Sequence, residues 1–286
     1  MLKNLEINAF ADEASSEIDV QIEVLKRHCL DGIELRNADG INVSDLTFEK
    51  AAEIKNKFDA NGLKIFSLGS PIGKIDVVES FDEHFEKFKH TLEIANILGA
   101  SNIRVFSFYI PNGAKADDFK NEVIERLGKM CTLAGKSKVD ICHENEKGIY
   151  GDTAERCLNI FKAIPQLRGV FDPANFVQCS EDVICAWNKL KDYIKYLHIK
   201  DSKTDGTIVP PGMGDACITE ILKAYIEAGG TCITLEPHLA VFDGLAALER
   251  EGEQSVVGNM QYKSNREAFD AGCAALKNIL EELKWK

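Results

Sequence analysis

The chain has 286 residues, a length that fits one large domain or two small ones, and with 45% of them hydrophobic and 28% charged its composition supports a sizeable core. Its formal net charge of −12 argues against nucleic acid or an anionic membrane as partner, since both reward a basic surface. No stretch approaches the ~20 apolar residues that span a bilayer, no signal-peptide core opens the chain, and nine cysteines without a C-x-x-C pair indicate reduced thiols in a cytoplasmic protein rather than a disulfide framework or structural zinc site.

Short β-like runs alternate with longer amphipathic segments from end to end. Leu5–Phe10 leads to a helical stretch at Ile18–His28, Gly32–Arg36 to Phe48–Asn61, and Leu63–Leu68 to Phe81–Leu98. Asn102–Phe108 precedes Phe119–Ser137, Lys138–Glu144 precedes Thr153–Ile164, and Gly169–Asp172 precedes Glu181–Asp192. The seventh run, Tyr196–Asp201, leads to Ile218–Ala228; the eighth, Thr231–Glu236, to a closing helix at Ser264–Lys284. Glycine or asparagine stands before several strands, where a helix has just ended. Eight such pairs predict an α/β fold, a single (β/α)8 TIM barrel over residues 1–286. A doubly wound open sheet competes, but no G-x-G-x-x-G follows the first strand. Phe242–Tyr262, charged and glycine-containing, reads as a loop inserted after the eighth strand.

Strand side chains alternate between faces. One face is apolar throughout: Ile33 and Leu35, Ile103 and Val105, Val139 and Ile141, Leu197 and Ile199, Ile233 and Leu235. The other carries Glu34 and Arg36, Arg104, Asp140 and Glu144, Asp172, His198 and Lys200, Thr234 and Glu236. This pattern predicts a helix-covered exterior around a polar lumen. Burying so many charges costs several kcal/mol each, on the order given for unpaired ions, unless they are paired or bound to metal. Glu144, Asp172, His198 and Glu236 fall at C-terminal strand ends, where such barrels do their chemistry. Three carboxylates and one imidazole form an oxygen-rich site for a divalent ion, Mn2+ first, with Zn2+, Co2+ and Mg2+ as alternatives. A metal holding adjacent C–O groups of a sugar would polarise the carbonyl and acidify the neighbouring C–H, and two carboxylates could move the proton.

The motifs His143-Glu144-Asn145, Phe171-Asp172-Pro173-Ala174-Asn175-Phe176, His198-Ile199-Lys200-Asp201, Gly212-Met213-Gly214-Asp215 and Leu235-Glu236-Pro237 together resemble the xylose isomerase-like TIM-barrel superfamily. Within it they are most similar to the sugar isomerase/epimerase branch. The resemblance covers nearly the whole chain. It implies that Glu144, Asp172, His198 and Glu236 bind the metal and that Glu144 and Glu236 are also the proton-transfer pair. It further implies a small-molecule keto-sugar substrate, an enediolate route, and a homo-oligomer, as family members are often dimers or tetramers. Ketose epimerases of the branch often carry a histidine where this chain has Asn175, which is then expected at the substrate.

The remaining polar positions divide less sharply. Glu34 and Arg104 either pair with each other in the lumen or touch substrate. Lys200 and Lys203 are candidates for a substrate oxyanion or phosphate, Lys203 equally for a solvated loop. His238, two residues beyond Glu236, points toward the mouth and is expected at the substrate. His143 faces outward by alternation and reads as structural. Phe10, Phe66 and Phe106 read as core or as a wall for the sugar. Gly212 and Gly214 read as a tight loop over the mouth, with phosphate cradling the weaker use. A metal-dependent lyase or dehydratase on a keto-sugar, 3-keto-glycoside or keto-acid uses the same constellation. A metal phosphodiesterase is disfavoured by the presence of only six histidines.

Overall fold

The computed structural model describes residues 5–242, 256–257 and 262–283. Strands β1 (Glu6–Ala9), β2 (Gly32–Leu35), β3 (Lys64–Gly69), β4 (Asn102–Val105), β5 (Asp140–Glu144), β6 (Arg168–Phe171), β7 (Ile194–Ile199) and β8 (Cys232–Leu235) close into one barrel. All pairings are parallel and each strand lies beside its sequence neighbour, with β8 returning to β1. This is a single (β/α)8 TIM barrel.

The covering helices are α1 (Ile18–Arg27), α2 (Phe48–Ala60), α3 (Phe81–Leu98), α4 (Lys120–Ala134), α5 (Ala154–Ala163), the short α6 (Pro173–Gln178), α7 (Val183–Leu190), α8 (Ile218–Glu227) and α9 (Asn265–Glu282). Local chemistry starts and stops them. Thr47, Thr153, Asp182 and Ser264 each accept an N–H of the first turn. Gly99 ends α3 with φ 69, a left-handed geometry that glycine takes without a Cβ penalty. The apolar strand face packs under these helices, with Ile33, Leu35, Ile103, Val105, Leu197, Ile199, Ile233 and Leu235 all buried in one core.

Three expectations shift. The sixth helical stretch, observed as α7, is preceded by an extra short helix, because Asp172-Pro173 opens α6 immediately after β6. The fourth strand stops at Val105: the Phe106 N–H donates to the Ile72 carbonyl, and Phe108 has φ 64. The lumen is layered rather than polar throughout. Cys142, Val170, Tyr196 and Cys232, packed with Phe66, fill its lower part, and charges gather above them. Asp140, at the start of β5, lies outside this lumen and pairs with Lys195 near solvent. Most of the expected insertion at 242–262 lies outside the described residues; Val256–Val257 pairs parallel with Thr207–Ile208. All nine cysteines are free thiols. No helix among the described residues is long and apolar enough to cross a membrane.

Candidate metal centre

The fold brings four of the expected residues to one point. Glu144 ends β5, Asp172 directly follows β6, His198 lies near the end of β7, and Glu236 directly follows β8. Their ligand atoms lie within 4.8 Å of one another, and all four side chains are buried. Backbone bonds fix the positions. The Glu236 N–H donates to the Ile199 carbonyl, tying the end of β8 to β7. The Asp172 N–H donates to Asn145 Oδ1, whose amide nitrogen returns a bond to the Asp172 carbonyl, both at 2.9 Å.

His198 is the hub. Its Nδ1 lies 3.0 Å from Glu144 Oε1 and 3.3 Å from Glu236 Oε2. Its Nε2 meets Glu34 Oε2 at 3.1 Å. The ring packs edge-on to Phe10, with centroids 5.2 Å apart, and tilted against Tyr196. Arg104 Nη1 donates to Glu144 Oε2 at 3.0 Å, while Arg36 Nη1 donates to Glu236 Oε1 at 3.1 Å. Lys200 Nζ sits 2.9 Å from Asp172 Oδ2 and 3.5 Å from Glu236 Oε2. The contact with Asp172 is a charge pair without hydrogen-bond alignment, so this buried oxygen has no aligned donor among the described residues. Asp172 Oδ1 caps α6 by accepting the Asn175 N–H.

Electrostatics separate the carboxylates. Burial alone would raise Glu144, but His198 and Arg104 outweigh it and bring its pKa to about 2. Glu236 is likewise raised by burial and carried well below the ordinary value by Lys200, His238 and His198. Asp172 goes the other way, to about 7, because burial and the neighbouring Glu144 and Glu236 exceed the help from Lys200. Burial disfavours a charged His198, yet Glu144 and Glu34 lift its pKa well above the ordinary imidazole.

A second layer was not singled out from sequence. Asp12 and Glu13, just after β1, hold Arg36: Asp12 accepts Nε and Nη2 at 2.9 and 3.0 Å, and Glu13 accepts Nη2 at 3.4 Å. Glu13 Oε2 also accepts the His238 N–H at 2.7 Å. Burial raises Glu13 to about 8 despite Arg36. The run Ala11-Asp12-Glu13, directly after a barrel strand, was the available sign. Glu13, Glu236 and His238 also cluster at ligand distance. There the Arg36 guanidinium already supplies the cation, touching both glutamates.

The other expected substrate residues are placed as follows. Asn175 is buried, and its side-chain amide donates to the Asn145 carbonyl at 2.8 Å and to Glu144 Oε1 at 3.3 Å. His238 has φ 49, stacks on Phe242, and keeps Nε2 without a hydrogen-bond partner among the described residues, 3.6 Å from Glu236. Of the two readings of Glu34 and Arg104, the mutual pair is not formed: Arg104 turns to Glu144 and Glu34 to His198. Phe10 lies under the Arg36 guanidinium at 4.4 Å, Phe106 under Lys74 and Arg104, and Phe66 lower down against Tyr196. His143 is buried outside the lumen against Phe161, as its outward alternation implied. The N–H groups of Gly212 and Gly214 are taken by Asp201 Oδ2 rather than left for phosphate.

The donor set fits a divalent cation. Three buried carboxylates converge on one imidazole nitrogen, and an Asp172 oxygen without an aligned donor faces the same point. Such a concentration of like charge is what a hard cation with oxygen and nitrogen ligands relieves.

Comparison with solved structures places this fold among enzymes of related architecture. The IolI protein with a binding zinc atom superposes with a TM-score of 0.74 at 17% identity, over 97% of this chain and 99% of that one. D-psicose 3-epimerase with D-tagatose, from Clostridium cellulolyticum H10, gives 0.72 at 14% identity over 97% and 99%. The probable 3-DHS dehydratase AsbF from Bacillus anthracis gives 0.68 at 18% over 81% and 92%. At these identities the likeness is one of fold. Among curated protein sequences no match is found. The family profile described as xylose isomerase-like TIM barrel, however, matches residues 22–279, nearly the whole barrel and all four clustered residues. The chain therefore belongs to the xylose isomerase-like TIM barrel family.

Proposed function

We propose that this protein is a divalent-metal-dependent sugar isomerase or epimerase, acting on a ketose or related keto-sugar by proton transfer between Glu144 and Glu236. The observation that carries the reading is the convergence of both glutamates, with Asp172, on His198 Nδ1. Glu144, Asp172, His198 and Glu236 would hold the ion, for which Mn2+ is our assignment and Zn2+, Co2+ and Mg2+ are the alternatives. When bound, the ion polarises a substrate carbonyl and acidifies the adjacent C–H.

The chain's own residues supply the rest. Arg104 and Arg36 each grip one oxygen of a glutamate, leaving the other oxygen directed at the shared site. Held ionised, each glutamate is ready to take a proton from carbon. Return of a proton to the opposite face by the other glutamate, once it has taken one up from a substrate hydroxyl or solvent, gives the epimer; delivery by the first glutamate of the proton it removed to the neighbouring carbon gives the isomer. His238 Nε2 and Lys200 Nζ are the polar groups we assign to substrate hydroxyls, with Asn175 keeping Glu144 in place. The Phe10 and Phe106 rings, which pack against Arg36 and Arg104, are the apolar wall we assign to the C–H face of the sugar.

The experiment is proton NMR in D2O on a panel of ketoses, their phosphates and keto-acids. The enzyme is used metal-loaded, chelator-stripped and zinc-reconstituted. Metal-dependent deuterium at one carbon, with the skeleton intact, is the expected result and names the reacting position. Loss of a hydroxyl or an aglycone would instead assign a lyase or dehydratase. No exchange with any metal-loaded sample would remove proton transfer on these substrates.

A further inference from the structure

Glu34 is a fully buried carboxylate whose two oxygens both meet groups of the protein itself. Tyr196 donates its hydroxyl to Oε1 at 2.9 Å, and the Ser67 hydroxyl lies 3.2 Å from the same oxygen. Only Oε2 is left, and it faces His198 Nε2 at 3.1 Å. The strand is built to put it there. The register between β2 and β3 shifts at Ile33/Glu34, so that Glu34 stands opposite Ser67; such irregularities re-aim side chains beside active sites.

From this geometry we infer that Glu34 is a positioning residue: it holds the Nε2 proton of His198 and so presents Nδ1, free of a proton, to the metal cluster. The inference rests on the metal-dependent reading above and deepens it. An imidazole binds metal through one unprotonated nitrogen, and the partner of the other nitrogen decides which tautomer that is. A carboxylate oxygen 3.1 Å from Nε2, with its partner oxygen already accepting from Tyr196, selects the tautomer that carries hydrogen on Nε2. The Phe10 and Tyr196 rings fix the plane of the imidazole, while Glu34 fixes which nitrogen carries hydrogen. Glu34 is thus assigned to His198 rather than to substrate.

The test uses the zinc-loaded full-length protein. Long-range proton–nitrogen NMR should find hydrogen on Nε2 of His198 and none on Nδ1. Glu34→Gln removes the charge at nearly constant volume and should weaken zinc binding about 10- to 100-fold in competition with a chromophoric chelator. Tyr196→Phe takes one hydrogen bond from Glu34 but keeps its charge, and should stay within a few-fold of wild type. Zinc carried on Nε2 in the wild type, or a folded E34Q protein binding zinc as tightly as wild type, would overturn the inference while leaving the metal site standing. Equal weakening by Y196F would also overturn it, by making the effect one of packing. Absence of zinc uptake by the wild type would instead remove the metal reading, and this inference with it. Should E34Q not fold, the wild-type spectrum decides the matter alone.

Discussion

Glu144 and Glu236 converge on the same nitrogen of His198, at 3.0 and 3.3 Å, and each has its other oxygen held by an arginine at 3.0 or 3.1 Å. They come from β5 and from the end of β8, yet Arg104 serves the first as Arg36 serves the second. This pairing gives two carboxylates of constrained orientation, the geometry on which the proton transfer proposed between them relies.

Replacing either glutamate should therefore remove both a ligand and a proton carrier. Glu144→Gln and Glu236→Gln are each expected to lower kcat by about 10²- to 10⁴-fold, the usual worth of a positioned acid or base. Deuterium wash-in at the reacting carbon, measured at saturating metal, separates the proton-carrier role from the ligand role. Near-normal turnover in either variant on the true substrate would exclude the two-carboxylate mechanism.

The cluster also links stability to metal. Without an ion, Lys200 is the cation beside Asp172, 2.9 Å from Oδ2 and 3.5 Å from Glu236 Oε2. A divalent ion at 100 times its dissociation constant should stabilise the fold by about 2.7 kcal/mol. Lys200→Met leaves Asp172 unpaired, and should cost roughly 3–5 kcal/mol in chelator, as for other broken buried pairs. That loss should shrink when metal is added. Thermal denaturation with and without chelator reads both effects, and an equal loss in the two conditions would show that Lys200 and the ion do not share Asp172.

A separate pH dependence comes from His84 on α3. Its Nε2 accepts the Gly73 N–H at 2.7 Å, so the native state needs it neutral. Burial first, then Lys87 and Arg126, lower its pKa to about 4. A folded-state pKa below the unfolded one means that the unfolded chain binds the extra proton. The contribution is thus complete above about pH 6.5 and is lost as pH falls toward 4, at most about 3 kcal/mol in all. Urea denaturation of wild type and His84→Gln between pH 7.5 and 4.5 isolates it. The wild-type advantage should decline with acidity; a constant difference would mean that His84 does not titrate with folding.

Strand alternation made most of the site legible. Glu144, Asp172, His198 and Glu236 interrupt otherwise apolar strands at their C-terminal ends, and a period of two puts them all inside. Alternation gives the face but not the depth or the partner. Glu34 and Arg104 read equally as a pair or as substrate contacts, and their partners, His198 and Glu144, depend on strand stagger that no single strand encodes. The Asp12–Arg36–Glu236 chain was missed for a related reason. Its members lie 24 and 200 residues apart in sequence and meet only when β8 closes against β1. Helix α6 did have a local signature, Asp-Pro at an N-cap, masked by the apolar residues around it.

Asp201 sits next to Lys200 and fastens the segment that follows β7. Its buried carboxylate accepts three backbone N–H groups, from Gly212 at 2.8 Å, Gly214 at 2.9 Å and Ala216 at 3.1 Å. Glycine is required at 214, where a Cβ would lie 2.3 Å from Asp201 Oδ1 and 2.6 Å from the Ser202 carbonyl. Asp201→Asn turns an acceptor oxygen into an NH2 group facing amide hydrogens, and should cost about 1–3 kcal/mol for donors left unsatisfied. Amide exchange at Gly212, Gly214 and Ala216 should accelerate in this variant while exchange within α3 and α9 stays unchanged, because the lost bonds belong to the loop alone. Metal content should be retained, since Asp201 is not among the clustered ligands. Unchanged exchange at the three amides would show that the loop is held by its own turns, and that the Asp201 carboxylate contributes nothing to its order.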